Sequence, residues 1–323
     1  DGEDKSVAEK YDPSLFRSLK NPDGSLDMLG WAGGVAGIMY NADIINGTDY
    51  KVPKTSDQLQ RLTIALKSDK RYNAQTFTPF VTFNDGGYYL YLVKAWMAQY
   101  AGIDYYNDSW LMLKDAEGNS PSKDVCLGRE DGKYAALDAL TKIFKNDTLL
   151  YGANSDTKDS AQTKFVQGKG AMMVNGTWMY NEAESSGSKT KDFRIMRTPV
   201  ISAITDKCDS IEDDAELAAV VTAVDDVLDN GAAVSLSGDG YEVTQKDWDT
   251  VYNARRLMYH NGSEHALIVN KYTNAKEGVK KFIQYYYSDE GLAKFINATH
   301  SSQNARITDA SGINTDGWTD NEK

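Results

Sequence analysis

The sequence predicts an α/β protein in which short strands alternate with helices. Three observations carry that reading. Glycine-bounded apolar runs such as Gly37–Asn41 and Gly170–Gly176 read as buried strands. Between such runs lie longer stretches with apolar residues at helical spacing. No fixed-period repeat interrupts the alternation, and this order of elements builds largely parallel sheets. At 323 residues the chain is long enough for two domains of roughly 100–200 residues each.

The elements follow in order. Residues 1–27 are polar, with turn signals at Asp12-Pro13 and Asn21-Pro22-Asp23-Gly24. Leu29–Asn41 reads LGWAGGVAGIMYN, in which the Gly-rich half predicts a close backbone approach and GIMYN a short buried strand. Thr55, with Gln58 three residues later, predicts a capping box, and Leu59, Leu62 and Leu66 predict a helix over 56–68. Phe80–Phe83 reads as a strand, Asp85-Gly86-Gly87 as a turn and Tyr88–Tyr100 as a helix. Residues 104–133 are loop-like, and Leu137, Leu140, Ile143 and Phe144 predict a helix over 133–146. A short helix from Ser160, the strand Gly170–Gly176 with Trp178 just beyond it, and a strand over Phe193–Pro199 come next. Ser210 is the expected cap of a helix whose Leu217, Val220, Val221, Val224 and Leu228 share a face. Ala232–Ser237 reads as a strand, Trp248–Met258 as a helix and Ala266–Asn270 as a strand. Val279, Phe282, Ile283 and Tyr286 form a helix face, Ser288 starts a further helix in SDEGLAKFI, and the tail from 307 is polar.

Composition narrows the function classes. A net charge of −12 suits neither nucleic acid nor anionic lipid, both of which need clustered Lys and Arg. Cys126 and Cys208 are too few for a disulfide scaffold or a four-cysteine zinc site, and leave either one bridge or two thiols. The best apolar run, Leu217–Val224, is far short of the ~20 residues that a spanning helix requires. A start such as DGEDKSVAEK fits a chain whose leader has been removed and is no argument for the cytoplasm. His260 and His265 are five apart across an Asn261-Gly262 turn, whereas a helix-borne metal pair is four apart. No nucleophile elbow and no phosphate loop is present, and Gly168-Lys169-Gly170 precedes a strand, the wrong order for cradling phosphate. Carboxylates are abundant, and Asp225-Asp226 and Glu212-Asp213-Asp214 are expected to be solvated. The sequence thus offers no catalytic residue, metal or cofactor. Its 20 Tyr, 6 Trp and 9 Phe supply flat apolar faces with polar edges, the surface that polar ring-shaped ligands need.

Three stretches carry a family resemblance. Gly37-Ile38-Met39-Tyr40-Asn41 is followed by Val52-Pro53-Lys54-Thr55-Ser56-Asp57-Gln58-Leu59. Later come Phe165–Trp178, reading FVQGKGAMMVNGTW, and Tyr287-Ser288-Asp289-Glu290-Gly291. In this order they resemble the extracellular solute-binding proteins (family 1) of ABC sugar importers. The resemblance implies a two-lobe periplasmic-binding-protein-like fold with a hinge and a sugar in the cleft between lobes. It assigns 1–37 to part of the first lobe and the hinge, 38–200 to the second lobe, 201–300 to a return to the first lobe, and 301–323 to the hinge or tail. Family members carry a longer stretch before the Tyr-Asn strand, which implies a truncated or reduced first lobe here, and 205–230 reads as an insertion.

Carried over residue by residue, Trp178 matches the family's cleft tryptophan that stacks on a sugar. Trp31 falls where the chain enters the hinge, and Asp85 and Tyr88 follow a strand on a loop that faces the cleft. Each has a plain alternative: Trp178 and Trp31 as packing residues, Asp85 and Tyr88 as caps of the next helix. Tyr40-Asn41 reads as structural. The implied function is capture of a mono- or oligosaccharide outside the cell for delivery to an ABC permease. The protein would be a bacterial lipoprotein or periplasmic monomer. A carbohydrate hydrolase, or the same fold with a non-sugar solute, stays open.

Overall fold

The computed structural model describes residues 5–11, 13, 19–21, 24–46, 49–83, 87–103, 132–145, 148–149, 155–188, 191–262, 265–300 and 303–318. Asp85, Cys126 and most of the expected 104–133 loop lie outside the described residues. The chain forms two compact units, Asp1–Val35 with His260–Lys323, and Ala36–Tyr259.

The first unit contributes β1 (Met28–Gly30), and β2 (Val35–Asn41) carries the chain into the second. There follow α1 (Ala42–Ile45), α2 (Ser56–Ser68), β3 (Thr78–Val81), α3 (Tyr89–Ala101) and α4 (Gly132–Ile143). Next come α5 (Lys158–Val166), β4 (Gly170–Gly176), α6 (Met179–Glu182) and β5 (Phe193–Ile195). The second unit ends with α7 (Asp214–Asn230), β6 (Ser237–Gly238), β7 (Tyr241–Glu242) and α8 (Gln245–Arg255). The strand β8 (Tyr259–His260) leads back to the first unit, which holds β9 (Ala266–Ile268), α9 (Lys276–Tyr286) and α10 (Asp289–Thr299).

The sheet of the second unit has the order β3-β4-β2-β5, with β8 also pairing β2. β3 runs parallel to β4, from Thr78↔Gly170 to Val81↔Met173. β2 runs antiparallel to β4, from Ala36↔Gly176 to Tyr40↔Met172, and antiparallel to β5. The sheet is therefore mixed rather than largely parallel. A strand buried on both faces shows the same unbroken apolar run in either direction, so the sequence pattern carries no information about strand polarity.

Helix faces follow the expected spacing. On α2, Leu59, Leu62 and Leu66 are buried. Thr55 caps that helix by accepting from the Gln58 N–H at 3.2 Å. The Gln58 amide oxygen reaches the Lys54 N–H at 2.9 Å, one residue before the reciprocal bond that a capping box would make. On α4, Ala136, Ala139 and Ile143 face the core, and Leu137 is exposed. β3 starts two residues ahead of the expected Phe80, and β5 ends at Ile195 instead of Pro199. A two-residue-per-strand hairpin, β6–β7, replaces the expected strand at 232–237.

The largest departure concerns residues 201–259, expected in the first lobe. Leu217, Val220, Val221 and Val224 of α7, and Trp248 and Val251 of α8, share one core with Ile38 of β2, Leu59 of α2 and Trp96 of α3. Charge pairing ties the same segment down. Asp225, expected to be solvated, accepts from Arg255 Nε at 2.7 Å and Nη2 at 3.0 Å, and from Lys54 Nζ at 2.9 Å. Arg197 reaches Asp225 at 3.3 Å and Asp229 at 2.7 Å. The cap of α7 is Asp213, whose carboxylate accepts from the Ala215 and Glu216 N–H groups, while Ser210 donates to the buried Asp247 instead. Asp214 pairs with Arg61. Acids that sequence reading places in solvent thus cap and clamp the helix.

In the first unit β1 and β9 pair antiparallel, Met28↔Ile268 to Gly30↔Ala266. Tyr11, Leu19, Tyr287, Leu292 and Ala305 form its core cluster. The Tyr11 and Tyr287 hydroxyls both donate to the Gly30 carbonyl. Lys10, buried, donates to the Tyr287 carbonyl at 3.0 Å and to Asp289 at 2.9 Å. Ser288 caps α10 as its SDEG start requires. The apolar stripe of α9 is present, but none of its residues is buried.

The Asp225 cluster generates a pH prediction. Burial pushes the Asp225 carboxyl up, but hydrogen bonds and charge from Arg255, then Lys54, more than offset this and hold it below its ordinary value. A carboxyl depressed on folding stabilises the fold above its unfolded pKa, and this stabilisation fades as pH falls through the folded value. The melting temperature should therefore drop as pH is taken below about 4. Asp225→Asn should lower stability at neutral pH by about 3 kcal/mol, because it strands a buried guanidinium, and should flatten the acid limb. Urea unfolding of both proteins across pH 2–7 checks both statements.

Candidate functional site

Parallel pairing brings the C-terminal ends of β3 and β4 to one edge of the sheet, where β2 begins. Thr177, exposed, and Trp178, half-buried at the head of α6, follow β4 there. The indole lies over Gly176: a Cβ on that glycine would sit 2.3 Å from Trp178 Cη2 and Cζ3. Only a residue without a side chain allows the ring to fold back over the strand end.

The Trp178 ring meets Tyr91 of α3 edge-on, with centroids 6.0 Å apart at 82°. Tyr91 is buried and is the common support of a larger group. It stacks on Tyr259 at 5.0 Å and 19°, and tilts against Tyr88 at 5.2 Å and 58°. Tyr88 in turn meets Phe83 edge-on at 4.7 Å. Tyr88, Trp178 and Tyr259 are half-buried. Lys94, on α3 one turn after Tyr91, donates from Nζ to Tyr259 Oη at 2.9 Å.

Polar partners lie next to this group. Glu182, at the end of α6, donates its N–H to the Trp178 carbonyl at 3.1 Å. Its carboxylate accepts from Lys158 and from Gln162, each at 2.8 Å. Burial pulls the Lys158 ammonium down, but the Glu182 carboxylate outweighs this and holds it above its usual value. The aromatic group itself (Phe83, Tyr88, Tyr91, Trp178 and Tyr259 with Lys94) includes no carboxylate and no activated nucleophile. Chemically it can offer flat C–H-binding faces, phenolic edges and an ammonium, which suits a polyol ring.

The structure therefore brings together two of the four residues that the sequence singled out, Trp178 and Tyr88. Tyr88 occupies the cap position of α3 without a side-chain capping bond, so its ring serves the aromatic group and not the helix end. Asp85 lies outside the described residues. Trp31 belongs to the first unit, edge-on to His265 at 6.3 Å and to Phe295 at 5.6 Å. Its N–H donates to the His265 carbonyl, and its carbonyl accepts from Tyr286 Oη at 2.7 Å. The close approach expected of its glycine-rich loop is present, since a Cβ on Gly33 would fall 2.3 Å from Asn304 Oδ1. His260 Nδ1 accepts from the Gly262 N–H, and burial pulls its pKa down. Among the described residues no group of three or more His, Cys, Asp or Glu is placed to hold a metal ion. The half-buried Cys208 thiol is pushed up to about 11 by burial.

Sequence reasoning missed Tyr91, Tyr259 and Lys94. The Tyr88/Tyr91 spacing of three, with Lys94 three further on, places all three along one helix face and was a readable signal. Nothing in the sequence links position 259 to that helix.

Comparison with known proteins follows this geometry. Residues 3–305 match the family model described as bacterial extracellular solute-binding protein. No curated protein matches the chain by sequence. RafE from Streptococcus pneumoniae, in its apo form, superposes with a TM-score of 0.59 and 13% identity, over 98% of this chain and 67% of that one. A sugar transporter from Bacillus licheniformis, solved with stachyose, gives 0.56 and 15% over 98% and 67%. A chitin oligosaccharide binding protein gives 0.54 and 17% over 94% and 60%. The chain thus spans between 60% and 67% of the length of these structures. Likeness at such identity speaks for the fold alone, and with the family match over residues 3–305 it leads to one statement: the chain belongs to the bacterial extracellular solute-binding protein family and has the mixed α/β fold of its two-lobe members.

Proposed function

We propose that the chain captures a mono- or oligosaccharide outside the cytoplasmic membrane and delivers it to the permease of an ABC importer. The observation that carries this reading is the group of half-buried aromatic rings, Trp178, Tyr88 and Tyr259, gathered on Tyr91 where β3 and β4 end. Open α/β sheets bind ligands at such an edge. A pyranose has an apolar C–H face and a hydroxyl-rich rim, and an indole face next to phenolic edges complements both. RafE has been solved with raffinose and the Bacillus licheniformis protein with stachyose, which supports a sugar as the ligand.

In this reading Trp178 is the stacking wall, Tyr88 lines it, and Trp31 and Asp85 are candidate contacts. The chain passes between units at Val35–Ala36 and Tyr259–His260, and these passages are the proposed hinge. In this reading the protein is anchored to the cell surface by a lipid or is free in a periplasm. No helix among the described residues is long and apolar enough to cross a membrane. A hydrolase would need a pair of carboxylates flanking the sugar. The neighbouring Glu182 carboxylate is held by Lys158 and Gln162.

A thermal-shift panel of carbohydrates tests the proposal. A sugar at a hundred times its Kd should stabilise the fold by about 2.7 kcal/mol. Release of more than one equivalent of cleaved product would replace the binding reading with a hydrolase. Trp178→Ala should weaken the tightest sugar by about 2 kcal/mol, roughly thirtyfold in Kd, as measured by calorimetry. A variant that melts far earlier yet binds as tightly as wild type would make Trp178 a packing residue instead. Gly176→Ala should act in the same direction by expelling the indole from its seat on β4. About tenfold weaker binding is expected, with an altered near-ultraviolet dichroism that reports the moved ring.

A further inference from the structure

We infer that chain segments 30–34 and 260–262 of the first unit are closed into a clasp by Asn304, and that protonation of His260 opens it. Each residue from 260 to 262 makes a tie. His260 Nδ1 accepts from the Gly262 N–H at 3.0 Å. Asn261 and Gly34 are bonded twice: the Asn261 N–H donates to the Gly34 carbonyl at 3.1 Å, and Asn261 Oδ1 accepts from the Gly34 N–H at 2.7 Å. Asn304 Nδ2 donates to the Gly262 carbonyl at 2.9 Å and to the Ala32 carbonyl at 3.1 Å, so one amide holds both segments.

Packing leaves little slack. A Cβ on Gly30 or Gly33 would fall 2.3 Å from the Asn304 amide, and one on Gly262 would fall 2.5 Å from it. The Gly33 position also comes within 2.6 Å of His260 Cε1. Asn304 Oδ1 is buried and has no hydrogen-bond partner. An orphaned acceptor costs free energy, so the clasp is tight in shape and marginal in energy.

The Gly262 bond fixes the proton on His260. A ring nitrogen that accepts carries no hydrogen, so the side chain is the neutral imidazole with its hydrogen on Nε2. A second proton would go to Nδ1 and face the Gly262 N–H, donor against donor. The ring is hemmed in by Gly33, so segment 260–262 must shift, and Gly262 takes the Asn304 tie with it. The surroundings do not offset the new charge. Gly33, Gly262 and Asn304 are uncharged, and so is all of β2, the partner of β8. The lowered pKa of His260 comes from burial, without a contribution from Tyr259 on its own strand, His265 beside Trp31, Tyr286 on the Trp31 carbonyl or Arg306 beyond Asn304. A base whose pKa is lowered by closing binds fewer protons closed than open. The closed form is therefore favoured in full above the ordinary histidine value and loses ground as pH falls below it. Acid thus frees the chain beside the passages between units, well above the pH at which Asp225 titrates.

Hydrogen exchange on the full chain tests this, read at the Gly34, Asn261 and Gly262 amides and corrected for the intrinsic pH dependence. Between about pH 8 and about pH 5, either side of the ordinary histidine value, protection at these amides should fall about tenfold, while amides of α7 keep theirs. His260→Asn should abolish the response and keep the protection, because an Asn side chain accepts from the N–H two residues on but does not titrate in this range. His260→Ala should show the lower protection at both pH values, and His265→Asn should respond as wild type does. An equal pH response in wild type and His260→Asn, no response in wild type, or a parallel loss in α7 would each overturn the inference. Only the use of the clasp rests on the hinge reading. If sugar changes exchange at Ala36 and His260 while the clasp ignores pH, the hinge stands and this inference falls.

Discussion

A strand with no solvent on either face must find protein partners for its backbone polar groups, and β4 is such a strand. All seven residues from Gly170 to Gly176 are buried. Its two edges are satisfied by β3 in parallel and by β2 in antiparallel pairing, which is the usual way to avoid orphaned N–H and C=O groups. Once β4 is central, much of the second unit follows. Phe80 and Met172 are neighbours across one edge, and Ile38 and Val174 across the other. The chain that leaves β4 must emerge where β3 also ends, so Trp178 and the entry to α3 arrive at one place. Gly176 then lets the indole turn back over the strand instead of standing away from it. The position of the aromatic group is thus a consequence of strand pairing and not of the aromatic residues themselves.

The second constraint is electrostatic. Asp225 is only 15% exposed and faces cations from three separate stretches of chain, at Lys54, Arg197 and Arg255. A carboxylate moved out of water is costly unless its charge is paired and its lone pairs are bonded. Here the bidentate contact with Arg255 supplies the geometry and Lys54 the remaining charge. Such a cluster adds little to stability compared with apolar residues of equal size, but it is specific, since α7 can sit in only one register against α8. Through it α7 and α8 join the unit that contains α3, and the chain up to Tyr259 follows. Tyr91, Trp178 and Tyr259 consequently belong to one unit, although they are far apart in sequence.

Much of this was legible in the sequence where a local rule decides the outcome. The glycine-bounded runs at β2 and β4, the leucine face of α2 and the Ser288 cap of α10 are fixed by burial period and capping chemistry, both of which act within a few residues. Strand direction was not legible, because a run such as GAMMVNG is equally apolar whichever way its neighbour points. The cap of α7 was misplaced at Ser210 because Ser210, Asp213 and Asp214 are all of cap-forming type. Asp213 takes the role, since the Asp247 carboxylate, from a different helix, claims Ser210. Asp225 looked solvated for a similar reason: its cations come from positions 54, 197 and 255, and no window contains them. At the candidate site Trp178 was legible through its motif and Tyr88 through its loop. Tyr259 was not, because its ring partner Tyr91 and its hydrogen-bond partner Lys94 lie more than a hundred positions away.

The way the aromatic group is held bears on what binding would cost. Side chains that must be ordered at the moment of association subtract from affinity, by about 0.5–1.5 kcal/mol for each one immobilised. Trp178 is seated on Gly176 and met by Tyr91, Tyr91 is buried, and Tyr259 is stacked and bonded to Lys94. The ring order is thus already provided by the fold of a single unit, and a ligand that reaches the group finds it formed. Preorganisation also sharpens selectivity, because a ring fixed by its neighbours cannot swing to accommodate a misplaced partner, whereas an unanchored one can.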